Sequence, residues 1–230
     1  MNRTMQPQQL AAMIDHTVLK PSATGSNIDK LCEEAAQYEF MAVCVNPVWV
    51  GRCRDRLAGT HVKIASVVGF PLGANRTDIK VEEARRAIDD GACEIDMVVQ
   101  LGELMSGNTG FVRDDIAAVA EAVHAASPGY ILKVILETAT LTNDQIVAGC
   151  KCSVEARADF VKTSTGFHAS GGAKVDHVRL MHRAAAPLAV KASGGIRTLA
   201  SIKSMAEAGA TRIGCSAGPK IMDLIRRLTL

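Results

Sequence analysis

From Met13 to Gly214, short β-branched or apolar runs alternate with segments of helical period, and this alternation constrains the chain more than any other feature. A strand buried on both faces reads as an unbroken apolar run, and a helix must intervene before the next parallel strand can pair. The pattern therefore predicts repeated βα units on a parallel sheet. Eight runs qualify: Met13–Val18, Met41–Asn46, Val62–Val68, Cys93–Val99, Tyr130–Leu136, Ala158–Lys162, Leu188–Ala192 and Thr211–Gly214. No linker-like segment interrupts them, and no Gly-x-Gly-x-x-Gly turn follows the first. An α/β fold closed as a (β/α)8 TIM barrel, with a short helix before the first strand, fits better than an open doubly wound sheet. The 230 residues suffice for one such domain, 1–230.

Helix signals fall between the runs. Ser26-Asn-Ile-Asp29 and Thr142-Asn-Asp-Gln145 have capping-box spacing, which predicts helix starts at both. Apolar stripes at helical spacing follow: Ile28, Leu31, Cys32 and Ala35; Ile116, Val119, Ala120 and Val123; Leu199, Ile202, Met205 and Ala206; Ile221, Leu224, Ile225 and Leu228. Each stripe is expected to pack on the sheet. Gly91 and Gly209, each followed by Ala just before a strand, suit the left-handed position after a helix.

Composition excludes several function classes. Twenty-six Lys and Arg against 24 Asp and Glu leave a net charge of +2, too little to mark nucleic acid or an anionic membrane as the partner. No apolar run reaches the roughly 18 residues that span a bilayer, and the first residues lack the apolar core of a signal peptide. The seven cysteines are odd in number and mostly lie in apolar segments, which predicts free thiols and a cytoplasmic setting. Cys150-Lys-Cys152 has the wrong spacing for a redox or zinc pair, so no metal is expected.

In a barrel, catalytic groups sit at the C-terminal ends of strands. Three charges interrupt or end apolar runs: Asp96, Lys162 and Lys191. One such residue has an ordinary explanation as half of an internal ion pair, but three narrow the choice. Lysines ending consecutive strands point into one mouth, where each ammonium disfavours the other's charge, so one amine is expected to be neutral near pH 7. A neutral amine adds to an aldehyde to give an imine, and Asp96 can pass protons. The small-residue loops Lys162-Thr-Ser-Thr-Gly166, Lys191-Ala-Ser-Gly-Gly195 and Gly214-Cys-Ser-Ala-Gly218 can bring backbone N–H groups onto a phosphate.

The motifs Ile14-Asp-His-Thr17, Gly69-Phe-Pro-Leu-Gly73, Glu94-Ile-Asp-Met97, Lys133-Val-Ile-Leu-Glu-Thr138, Phe160-Val-Lys-Thr-Ser-Thr-Gly166 and Val190-Lys-Ala-Ser-Gly-Gly-Ile196 occur in order along the chain. In these it resembles the deoxyribose-phosphate aldolase family. The resemblance implies reversible cleavage of 2-deoxy-D-ribose 5-phosphate to D-glyceraldehyde 3-phosphate and acetaldehyde, without a cofactor. It assigns the imine to Lys162, the neighbouring cation to Lys191 and the proton relay to Asp96. By position Asp15, Lys133 and Thr163 match further pocket residues, Cys44 a cysteine at the mouth, and Gly166, Gly194, Gly195, Gly214 and Ser216 the phosphate loops. For Cys44 a buried apolar role is as good a reading. The partners implied are a sugar phosphate and small aldehydes, and a homodimer is compatible with the resemblance.

Three residues depart from family patterns: Phe167 where some members carry lysine, His168 where one branch has glycine, and Ala217 in place of a second serine. Weaker phosphate affinity, or tolerance of unphosphorylated aldehydes, is the expectation. The competing readings are a barrel isomerase or synthase that uses Asp96 and a lysine only for proton transfer, a sugar-phosphate-binding protein without turnover, and an aldolase with another donor such as dihydroxyacetone phosphate.

Overall fold

The apolar runs form eight parallel strands, each followed by at least one helix, in a computed structural model that describes residues 6–229 and the side chains of residues 6–227. In chain order the elements are α1 (Pro7–Ala11), β1 (Ile14–Val18), α2 (Gly25–Tyr38), β2 (Ala42–Val45), α3 (Val50–Leu57), β3 (Lys63–Val68), α4 (Thr77–Asp90), β4 (Glu94–Val98), α5 (Leu101–Met105), α6 (Thr109–Ala126), β5 (Ile131–Ile135), α7 (Asn143–Glu155), β6 (Phe160–Lys162), α8 (Val175–Ala184), β7 (Ala189–Ser193), α9 (Leu199–Glu207), β8 (Arg212–Cys215) and α10 (Gly218–Thr229). Every strand pairs with its sequence neighbours, and β8 pairs with β1 to close the barrel. The predicted (β/α)8 architecture and its short N-terminal helix are thus observed. Residues 1–5 and 230 of the expected domain lie outside the described residues.

Strand alternation divides the buried residues into two layers. Ile14, Val43, Val45, Ile95, Met97, Leu132, Val134, Val161, Val190, Ala192 and Ile213 belong to the main apolar core, which they share with the helices. On the helical side, α6 contributes Val112, Ile116, Val119, Ala120 and Val123. Burying each larger side chain there contributes about 1.5–3 kcal/mol, so this outer layer carries most of the driving force for folding.

Strand residues of opposite parity face the lumen. There the register sets Asp96 beside Lys133, Ile135 beside Lys162, Lys162 beside Lys191, Lys191 beside Arg212, and Gly214 beside Asp15. Closure of the barrel thus gathers charges that lie far apart in sequence.

Two local expectations are corrected. The first residue of the first capping box is Thr24, not Ser26: Asn27 Oδ1 accepts from the Thr24 N–H at 2.9 Å. Asp29 is instead taken by the guanidinium groups of Arg52 and Arg56, all contacts being 2.8–2.9 Å. In the last stripe Ile221 and Ile225 are buried, but Leu224 is 47% exposed, and the side chain of Leu228 lies outside the described residues. The Thr142–Gln145 box and the positive φ at Gly91 and Gly209 agree with expectation.

Candidate active site

Lys162 ends β6 and Lys191 lies on the adjacent β7, so parallel register sends both amines toward the same point in the lumen. Asp96 meets them there. Its Oδ2 accepts from Lys162 Nζ at 2.7 Å and from Lys191 Nζ at 2.7 Å, which holds the two nitrogens within twice that distance of each other. Its Oδ1 accepts from Lys133 Nζ at 2.9 Å. The three charges singled out in the sequence therefore form one cluster.

That cluster continues through Asp15 and Lys133, matched to the pocket by position, and through Glu94 and Arg212, which the sequence reading did not single out. Lys133 also donates to Glu94 Oε2 at 2.5 Å, Arg212 bridges Glu94 and Asp15, and Asp15 is ion-paired with Lys191. Seven buried side chains are linked in this way: carboxylates Asp15, Glu94 and Asp96, and cations Lys133, Lys162, Lys191 and Arg212. With all seven ionised the network holds one excess positive charge. Burying uncompensated charge is expensive, so the one excess positive charge raises the free energy of the fully ionised network.

The connections are unequal among the four cations. Lys133, Lys191 and Arg212 each touch two carboxylates, whereas Lys162 touches only Asp96 and shares the same oxygen with Lys191. A neutral Lys162 leaves three cations facing three carboxylates. Burial pushes the Asp96 carboxyl up, but Lys133, Lys162 and Lys191 together hold it well below the usual carboxylate range. Burial likewise pushes the Lys191 ammonium down, yet Asp15 and Asp96 hold it above an ordinary lysine. For Lys133, burial is outweighed by Asp96 and Glu94 in the same sense. The expectation of two amines in simple repulsion is corrected accordingly: a carboxylate sits between them, and Lys191 stays charged through its own partners.

Above the network opens a cleft of about 750 Å³. Lys162 is the network member that lines it; Asp15, Asp96, Lys133, Lys191 and Arg212 lie beneath. The loop residues Gly166, Gly194, Gly195, Gly214 and Ser216 all line the cleft, together with Thr165, Phe167, Ser193 and Arg197. Gly214 is needed for a close approach: a Cβ there would stand 3.3 Å from Lys191 Cε and 3.0 Å from Ser193 Cβ.

Four sequence candidates sit deeper than a mouth position. Asp15 and Lys133 are fully buried in the ion network. Cys44 is also buried, with Sγ 3.9 Å from Asp96 Oδ2, and it packs with Leu19, Ala65 and Val67; burial pushes its thiol up, and Asp96 adds to the shift. Thr163 is buried as well, its hydroxyl exchanging hydrogen bonds with the Ser193 backbone at 3.0 Å in both directions. Glu94 and Arg212 were legible in principle: Glu94 is two residues from Asp96 and so shares its strand face, and Arg212 stands between Thr211 and Ile213 in the last strand.

The departures from family patterns also have places. Phe167 is 47% exposed and meets Phe70 edge-to-face, with ring centroids 5.3 Å apart. His168 Nδ1 accepts from the Ser170 N–H at 3.1 Å. Among the described residues, no group of three or more His, Cys, Asp and Glu side chains is arranged to hold a metal ion, and no helix is long and apolar enough to cross a membrane.

Comparison with known proteins agrees with this geometry. The deoxyribose-phosphate aldolase 1 of Oceanobacillus iheyensis is 52% identical over 215 residues, covering 93% of this chain and 96% of that protein. The deoxyribose-phosphate aldolase of Thermococcus kodakarensis is 50% identical over 222 residues, covering 95% and 98%. The solved deoxyribose phosphate aldolase of Aeropyrum pernix, described as a unique tetramer, superposes with a TM-score of 0.89 at 32% identity, covering 97% of this chain and 93% of its own. The sequence profile of the DeoC/LacD family aldolase matches residues 9–223. The chain, with a charged lumen of which Lys162 reaches the cleft, belongs to the DeoC/LacD family of aldolases.

Proposed function

We propose that this aldolase cleaves 2-deoxy-D-ribose 5-phosphate reversibly to D-glyceraldehyde 3-phosphate and acetaldehyde through an imine on Lys162. The observation that carries the reading is that Lys162 is both the least compensated cation of the buried network and the one at the floor of the cleft. The substrate follows the relatives' names and the glycine loops that line the same cleft.

The open-chain aldehyde enters with C1 at Lys162. The neutral amine adds to C1, and loss of water gives a protonated imine. The C3 hydroxyl then gives up its proton, the C2–C3 bond breaks, and its electron pair moves into the imine to leave an enamine, releasing glyceraldehyde 3-phosphate. Protonation at C2 and hydrolysis free acetaldehyde and restore Lys162. In this reading the protonated imine is the electron sink, so the reaction needs no metal or organic cofactor. Asp96, ionised and in contact with both amines, is the proton relay, and Lys191 stays charged throughout.

The phosphate is received by backbone N–H groups at Gly166, Gly194, Gly195 and Ser216, with Gly214 leaving room. Because Phe167 and Ala217 bring no polar group to these loops, a ratio of kcat/KM for phosphorylated over free deoxyribose smaller than that of a lysine-containing relative is expected. The test of the whole reading is a retro-aldol assay on deoxyribose 5-phosphate coupled to detection of glyceraldehyde 3-phosphate. Product formation is the expected result; an inactive, correctly folded protein would reject it.

A further inference from the structure

The loop that follows Lys162 is fastened on both sides, and the two fastenings differ in kind. On the β7 side Ser193 Oγ donates to the Ser164 carbonyl at 2.6 Å, beside the Thr163 exchange already described. On the β5 side stands Glu137, just beyond the last residue of that strand, 3% exposed, with a left-handed backbone at φ 57. Its carboxylate accepts from the Thr165 N–H, at 3.2 Å to Oε2, and from the Thr165 hydroxyl in a short contact; the same hydroxyl accepts from the Phe167 N–H at 3.1 Å. Among the described residues no cation pairs with this buried carboxylate, and the adjacent Thr138 N–H donates to the Thr163 carbonyl at 2.8 Å.

We propose that Glu137 is a positioning residue that fixes the cleft wall of Thr165, Gly166 and Phe167, and through it the grip on the acceptor half of the substrate. This rests on the aldolase reading above. A non-glycine residue is held in the left-handed region only where its surroundings compensate for the strain, and here the compensation is a carboxylate aimed at the loop that carries the wall. Glutamate suits the task because both of its oxygens accept, so it can take the N–H and the hydroxyl of Thr165 together. The Thr165 hydroxyl, its hydrogen committed to Glu137, is left as acceptor for Phe167, which turns the chain at Gly166 into the cleft. Glu137 is absent from the cleft lining and from the hydrogen bonds of Lys162, so its effect falls on acceptor binding rather than on imine formation.

The experiment compares Glu137→Gln, Glu137→Gly and Thr165→Val with wild type in two assays: KM and kcat for deoxyribose 5-phosphate, and borohydride trapping of Lys162 by acetaldehyde alone, which reaches only the donor end. Glu137→Gln is expected to raise KM about tenfold, the effect of one charge-assisted hydrogen bond lost, with trapping within about twofold of wild type. Glu137→Gly relieves the left-handed backbone and should fold at least as well, yet show the same rise in KM. Combined with Thr165→Val, Glu137→Gln should add nothing further, because both act through one contact. An unchanged KM in Glu137→Gln and Glu137→Gly, or a loss of trapping that matches the loss of turnover, overturns the proposal. A wild-type protein that neither cleaves the sugar phosphate nor traps acetaldehyde overturns the aldolase reading and this one with it.

Discussion

The two sides of the barrel lumen follow the same strand alternation and hold opposite chemistry. On the β2–β3 side the inward residues are Cys44, Ala65 and Val67, packed with Leu19 as a small apolar cluster. From β4 round to β1 the charged inward residues are Glu94, Asp96, Lys133, Lys162, Lys191, Arg212 and Asp15, linked by ion pairs. The apolar side can tolerate a change of volume, because its members are small and few. The charged side is sensitive to the loss of any group with two partners, because such a removal strands charge in a region water does not reach. The proposed function lies on the side where stability depends on balance, and Lys162 is the cation of that network with a single carboxylate partner.

Paired substitutions at adjacent register positions give the largest effect. Lys162→Met should abolish retro-aldol turnover, by about 10⁴-fold or more, since no nucleophile remains. Its stability should equal or exceed wild type, because three cations then meet three carboxylates. Lys191→Met should instead cost about 3–5 kcal/mol in urea unfolding, having left Asp15 and Asp96 short of a partner. Its residual activity should peak at higher pH, since the remaining cations only just balance the carboxylates. Equal stability losses in the two variants would remove the distinction drawn here between them.

In the outer layer, Leu132→Ala should cost about 2–5 kcal/mol by leaving a cavity, with kcat unchanged. A fall in kcat per folded molecule would mean that the outer layer reaches the chemistry. The network should also show in the pH dependence of stability. Asp96 and Asp15 are held below their ordinary 3.8, so their contribution is present above that value and lost on acidification below it. Lys133 is raised above 10.5, so its contribution is present below that pH and lost only at higher pH. A urea midpoint that falls on acidification below about pH 4, and falls again on alkalinisation above about pH 10.5, is the expected profile. The smallest effect belongs to the apolar side: Cys44→Ala should change stability by about 1 kcal/mol and leave the rate within about threefold.

Much of this was readable before the structure. Each observed strand boundary falls within two residues of its apolar run, because strands buried on both faces need unbroken apolar sequence. Asp96, Lys162 and Lys191 stood out as charges inside such runs. Arg212 and Glu94 escaped because pairing across closed strands depends on register, which one sequence does not display; Lys191 beside Arg212 is a property of closure. Glu137 escaped because its partner Thr165 lies across a strand pair, and its left-handed φ has no signature in a glutamate. The misplaced helix start has a local cause: Ser26 and Asp29 match the template better than Thr24 and Asn27, but Arg52 and Arg56 claim Asp29 from another helix.

Treating the protein with acetaldehyde and borohydride, then mapping the modified lysine by peptide mass spectrometry, addresses the central claim directly. An ethyl group on Lys162, with Lys133 and Lys191 unmodified, is the result the charge balance predicts. Modification of Lys191 in preference, or an unmodified Lys162 under conditions of turnover, would contradict it.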